Sequence, residues 1–93
     1  MRKIERTKAF KKDYQRVSAT PKHRDIENLL PAVLALLATD TPLPDKYVDH
    51  GLRGEWKDFR DCHVKPDLVL IYRKSGTDVL QLVRLGSHGE LGF

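Results

Sequence analysis

The sequence is short of several residue types that would announce a function. Among its 93 residues there is one cysteine, Cys62, one tryptophan and one methionine. A lone cysteine excludes an internal disulfide framework and any multi-cysteine zinc site, and it fits a reducing, cytoplasmic location. No apolar run reaches the ~18 residues that a membrane-spanning helix needs. The N-terminus is basic but has no apolar stretch behind it, so it does not read as a secretory signal. There is no glycine-rich phosphate loop, dinucleotide fingerprint or Ser/His/Asp signature, and no repeat, low-complexity tract or linker. A single domain over residues 1–93 is expected.

Acidic residues are scarce at one end. Residues 1–24 hold nine Lys or Arg and only Glu5 and Asp13 as acids, whereas the whole chain has a formal net charge of +4. The rest of the chain is therefore slightly acidic. A basic N-terminal quarter suits a polyanionic partner, and a solvated helix face would explain the charge as well.

Hydrophobic spacing sets the expected elements. Residues 2–6 read as a short edge strand, and Thr7 as the cap of a helix whose face carries Phe10, Tyr14 and Val17. Thr20-Pro21 reads as a second helix start. Ile26, Leu29, Leu30, Val33, Leu34 and Leu37 form its stripe. Pro31 lies off that stripe, so the segment 21–38 is a kinked helix or two shorter ones. Three strand-like runs follow, 56–64, 68–73 and 79–85, joined by the short turns Lys65-Pro66-Asp67 and Ser75 to Asp78. The expected fold is α+β in the order β-α-α-β-β-β, two N-terminal helices packed on a small antiparallel sheet.

Chemistry-bearing residues gather in the second half. His50 precedes the first meander strand, His63 lies near its end, Asp67 sits in the following turn and His88 comes after the last strand. An antiparallel meander should bring His63 close to Asp67. Histidine titrates near neutral pH, so such a group suits proton transfer. RNA supplies its own nucleophile, the 2′-hydroxyl, and an acid–base pair can cleave it without metal. Arg60 and Arg84, on the strands flanking the central one, could stabilise charge on the phosphate, and Arg60 could equally pair with Asp58 or Asp61. A zinc site built from three histidines and Asp67 is a weaker reading, because no familiar ligand spacing is present. His23, in the basic helical start, is expected to have no reach to this group. Cys62 reads as a small buried hydrophobe, Trp56 as a strand anchor, and Phe93 as disordered or as a base-stacking aromatic.

The run from Asp49 to Asp67, with the pattern DH-x-L-x-G-x-W-x3-RD-x-HV-x-PD, resembles the YafQ branch of the RelE/ParE toxin superfamily. Leu70-Ile71-Tyr72 and the ending Arg84 to His88 share the resemblance. It implies a RelE-like microbial RNase-type fold and a type II toxin that cleaves translated mRNA in the ribosomal A site, without metal or cofactor. It places His50, His63, Asp67 and His88 on catalytic positions, and Arg60 and Arg84 near the scissile phosphate. Arg53, Lys57 and Phe93 are the further expected RNA contacts. The family's phenylalanine four residues past the last histidine falls here on Gly92, with Phe93 one later. The resemblance further implies a DinJ/RelB-like antitoxin, a heterotetrameric toxin–antitoxin complex, binding to the ribosome and mRNA, operator DNA reached only through the antitoxin, and no membrane. A gyrase-inhibiting, ParE-like toxin would share the fold without needing the histidines. A non-catalytic binding module is the third reading.

Overall fold

The computed structural model describes residues 1–92. In chain order its elements are β1 (Lys3–Arg6), α1 (Lys8–Ala19), α2 (Ile26–Ala38), β2 (His50–Gly51), β3 (Arg60–Lys65), β4 (Leu68–Ser75), β5 (Val79–Gly86) and α3 (His88–Leu91). Short 3₁₀ turns lie at Pro21–His23, Asp45–Tyr47 and Gly54–Trp56. No helix is long and apolar enough to cross a membrane.

The local signals explain most of these boundaries. Thr7 caps α1 by accepting from the Phe10 backbone N–H at 3.0 Å, as its position predicts. The second helical segment divides at residues 24–25, not at Pro31: Pro21 opens a 3₁₀ turn and Pro31 lies inside α2. That proline is exposed, so its ring is accommodated on the solvent side. The apolar stripe of α2 buries Ile26, Leu30, Val33 and Leu37.

The five strands are ordered β1-β5-β4-β3-β2. The meander β3-β4-β5 is antiparallel as expected, but β1 runs parallel to β5, with Lys3 opposite Val79 and Arg6 opposite Leu82. The sheet is therefore mixed. The two helices carry the chain across one face, and the edge strand ends up aligned with β5. The strand expected from Trp56 begins at Arg60 instead. Gly54 has a positive φ of 68° and opens a turn that ends with the Phe59 N–H donating to the Trp56 carbonyl at 2.9 Å.

Alternation along the strands gives the sheet two different faces. Cys62, Val64, Leu68, Leu70, Tyr72, Leu80, Leu82 and Leu85 form one cluster with Phe10, Val17 and the α2 stripe. Full burial of a side chain such as Ile26 or Leu70 contributes about 1.5–3 kcal/mol. Asp61 and His63 project to the other face, opposite Ile71 and Val69 on β4. On that side Trp56 and Phe59 meet edge to face, 5.1 Å between centroids, and Arg73 lies 5.5 Å from the Phe59 ring.

Candidate functional site

Each histidine of the group is fixed by a local backbone device. His50 belongs to the two-residue strand β2 and pairs with Asp61 across to β3. Its Nδ1 lies 2.9 Å from the Val48 carbonyl. A carbonyl only accepts, so Nδ1 carries a proton and Nε2 is the ring atom left to act as a base. Val48 holds a left-handed conformation at φ 48°, which turns its carbonyl towards the ring. His63 sits on β3 just before a register shift between His63 and Lys65. His88 opens α3, and Ser87 and Glu90 form a reciprocal capping box there: Ser87 N–H donates to Glu90 Oε1 at 3.0 Å and Glu90 N–H to Ser87 Oγ at 3.1 Å.

Two of the three rings, His50 and His88, meet at one carboxylate that sequence reasoning treated only as a partner for Arg60, and the third, His63, packs on His88. Asp61 is 2% exposed, with Oδ1 3.0 Å from His50 Nδ1 and Oδ2 3.8 Å from His88 Nε2. The His50 N–H is directed at Val48, so Asp61 Oδ1 is left buried without a hydrogen-bond partner. His63 and His88 meet edge to face with centroids 5.1 Å apart. His50 and His88 keep about half of their side-chain surface open to solvent. Two exposed imidazoles and a third beside them can take up and release protons on the same side of the sheet. Among the described residues no three His, Cys, Asp or Glu side chains converge closely enough to hold a metal ion.

Asp67 is placed differently from expectation. Its carboxylate pairs with Lys22 at 3.0 Å rather than with His63, and His23 Nε2 lies 4.0 Å from it. The hydrogen bond from Lys22 holds the Asp67 carboxyl below the ordinary range. His23, expected to be out of reach, is thus the histidine nearest to Asp67, and it is buried with Nδ1 unpartnered. Together with Arg16, Ser87 and Glu90 these residues line a cavity of about 320 Å³ beside the start of α3.

The arginines are held by carboxylates too. Arg60 pairs with Asp49, not with Asp58 or Asp61, at 3.3 and 3.4 Å, and Asp49 also accepts from the Tyr72 hydroxyl at 2.5 Å. Arg84 donates to Asp13 through Nε at 2.6 Å and Nη2 at 3.2 Å. Arg53 and Lys57 are exposed, at the two ends of the turn Gly54–Trp56. Phe93 lies outside the described residues. Burial pushes the Cys62 thiol up to about 12, as suits an inert core residue and not a nucleophile.

Residues 2–92 match the profile of a family described as the bacterial toxin of type II toxin–antitoxin system, YafQ. The chain belongs to the YafQ toxin family. It is 38% identical over 90 residues to the mRNA interferase toxin YafQ of Escherichia coli K12, covering 97% of this chain and 95% of that one. The crystal structure of the Escherichia coli DinJ–YafQ complex superposes with a TM-score of 0.83 at 38% identity, over 98% of both chains. A metal-bound toxin from Helicobacter pylori superposes with a TM-score of 0.83 at 48% identity, over 98% of this chain and 99% of that one. YafQ membership agrees with the resemblance carried by the run from Asp49 to Asp67. Asp61, the residue that gathers His50 and His88, lies in the middle of that run.

Proposed function

We propose that this YafQ-family chain is a toxin that cleaves translated mRNA on the ribosome by metal-free acid–base chemistry. The meeting of His50 and His88 at the buried Asp61, with His63 packed on His88, in a domain with a basic N-terminal quarter, is the observation that carries the reading. One imidazole removes the proton of an mRNA 2′-hydroxyl. The oxygen attacks the adjacent phosphorus, the 5′-oxygen leaves with a proton from a second imidazole, and a 2′,3′-cyclic phosphate remains. His50, with its proton held on Nδ1, offers Nε2 as the base, and His88 beside His63 serves as the acid. Asp61 sets a buried carboxylate beside the two outer rings. Asp67, exposed and ionised, joins the catalytic set when RNA displaces Lys22 from it. Arg84 and Arg60 stabilise the phosphate charge, and Arg53, Lys57 and Phe93 contact the RNA chain.

The partner follows from the same membership. The Escherichia coli relative is found in complex with DinJ. We infer a DinJ-like antitoxin here, with an acidic segment against the basic surface, in an assembly of two toxins and two antitoxins that alone contacts operator DNA. The site of action is the cytoplasm, where ribosomes and mRNA are.

Primer extension on an mRNA translated with purified ribosomes tests the function. Breaks confined to the A-site codon, present only with ribosomes and persisting after zinc-selective chelation, are expected. Gyrase-linked DNA breaks with intact mRNA would favour the ParE-like alternative. Stoichiometric zinc whose removal abolishes cleavage overturns the metal-free mechanism.

A further inference from the structure

The carboxylate of Asp13 has no part in the chemistry above, yet it is among the most heavily bonded groups in the molecule. It lies on the apolar face of α1 between Phe10 and Val17 and is 2% exposed. Besides Arg84 Nε and Nη2, it accepts from the Leu85 backbone N–H at 3.0 Å and from Arg16 Nη1 at 2.9 Å. Arg16 continues outward, donating to the Leu85 carbonyl at 3.1 Å and pairing through Nε with Glu90 Oε2 at 3.1 Å. Glu90 in turn closes the capping box that starts α3 at His88. Gly86 lies where these side chains meet. A Cβ there would stand 3.1 Å from Arg16 Nη2 and 3.2 Å from Glu90 Oε1, so these side-chain ends would have to give by a few tenths of an ångström.

We propose that Asp13 and Glu90 are positioning residues, Asp13 aiming Arg84 and Glu90 fixing the turn that carries His88, with Arg16 coupling the two. The inference rests on the reading in which Arg84 and His88 act on the phosphate. A buried ion-pair network is a weak source of stability, because desolvation offsets the attraction, whereas its geometry is restrictive. Asp13 engages two of the three guanidinium nitrogens of Arg84 and leaves Nη1 without a hydrogen bond among the described residues, on a side chain 35% exposed. Arg84 is thereby aimed without being used up. The carboxyl of Glu90 places Ser87, and so the first residue of α3, while its second oxygen ties that turn to α1.

Single-turnover cleavage of ribosome-bound mRNA tests this with Asp13→Asn, Glu90→Ala and Glu90→Gln beside Arg84→Ala and His88→Ala. Displacing a catalytic group by about an ångström costs on the order of 100-fold in rate. Asp13→Asn should lower the maximal rate by about 10–100-fold with the half-saturating ribosome concentration unchanged. Added to Arg84→Ala it should cause no further loss, which a merely destabilising change would not reproduce. Glu90→Ala should slow cleavage about tenfold and add nothing to His88→Ala, and Glu90→Gln, which keeps the cap's acceptor, should recover most of the rate. Should Asp13→Asn not fold, the Arg84 Hε resonance of the wild-type protein decides: a downfield, slowly exchanging signal supports the aim given by Asp13, and a freely exchanging one overturns it. If Arg84→Ala and His88→Ala lose cleavage while Asp13→Asn and Glu90→Ala keep the wild-type rate, or add in full to them, the positioning inference fails and the site stands. If Arg84→Ala and His88→Ala themselves cleave normally, the site reading fails first.

Discussion

Cys62 and His63 are neighbours in sequence and belong to different environments. Cys62 faces the helices and is fully buried, with a thiol that burial makes unreactive. His63 faces away, beside His88 and on the same side of β3 as Asp61. One face of the sheet is covered by α1 and α2 and holds the fold together. The other carries titratable groups that gain their geometry from the strands, beside the buried Val69 and Ile71 of β4. Alternation along β3 thus separates stability from chemistry within two residues.

That separation can be broken from either side. The largest effect on cleavage is expected at the open face, where His63→Ala and His88→Ala should each lose about 10²–10⁴-fold. Their stability in urea should stay within about 0.5 kcal/mol of wild type, as for surface substitutions. A loss of cleavage tracking a lower urea midpoint would contradict the division of labour. The converse change is Leu70→Ala on the covered face, expected to cost about 2–5 kcal/mol in chemical denaturation and to reduce cleavage only through the unfolded fraction. Asp61→Asn sharpens the comparison, since it keeps the volume and removes the charge between two rings. A loss of about tenfold in single-turnover rate is expected, with His50 and His88 ring resonances shifted in NMR spectra.

Asp13 links the two sides and has a pH signature. Burial pushes its carboxyl up, but the hydrogen bonds from Arg84, Leu85 and Arg16 outweigh this and hold it below the ordinary value. A depressed carboxyl contributes stability that is fully present above the unfolded value, about pH 4, and is lost as pH falls through the folded one. The stability difference between wild type and Asp13→Asn should therefore be constant above about pH 5 and shrink below about pH 4. A difference that stays level down to pH 2 in denaturant titrations would show that this carboxylate is not held ionised. The smallest effect is at Cys62. Its thiol should resist alkylation at about pH 8 in the native protein and react on unfolding, and Cys62→Ala should leave cleavage intact.

The features readable from sequence were those written in periodicity. The α2 stripe, the Thr7 cap and the three-strand meander follow from spacing alone, and the histidines were singled out by residue type. What escaped depends on partners distant in sequence. Asp61 read only as a possible partner for Arg60, because nothing local tells an inward aspartate in a strand from an outward one. Asp67 was matched to His63 by nearness in the turn, whereas the pairing with Lys22 is set by how the turn at Pro21–His23 packs. The strand β2 has only His50 and Gly51 and carries no alternation to detect. Two features had signals that could have been used. Ser87-x-x-Glu90 is a capping-box sequence that marks the start of α3 at His88. Asp13 lies three residues after Phe10 and four before Val17, on the helix's buried side, where an acid calls for a buried partner.

The parallel edge strand has a consequence for how this molecule comes into being. Thr7, at the end of β1, donates its hydroxyl proton to the Val83 carbonyl, 76 residues further along the chain. Among the described strands, a ribosome makes β1 before the other four and its neighbour β5 after them. Closing so long a loop costs entropy before any pairing rewards it, so β1 must wait unpaired until β5 has been made. The residues that bring β5 into place also bring Arg84, and His88 follows at once. A growing chain therefore cannot hold the complete histidine group before its sheet is able to close.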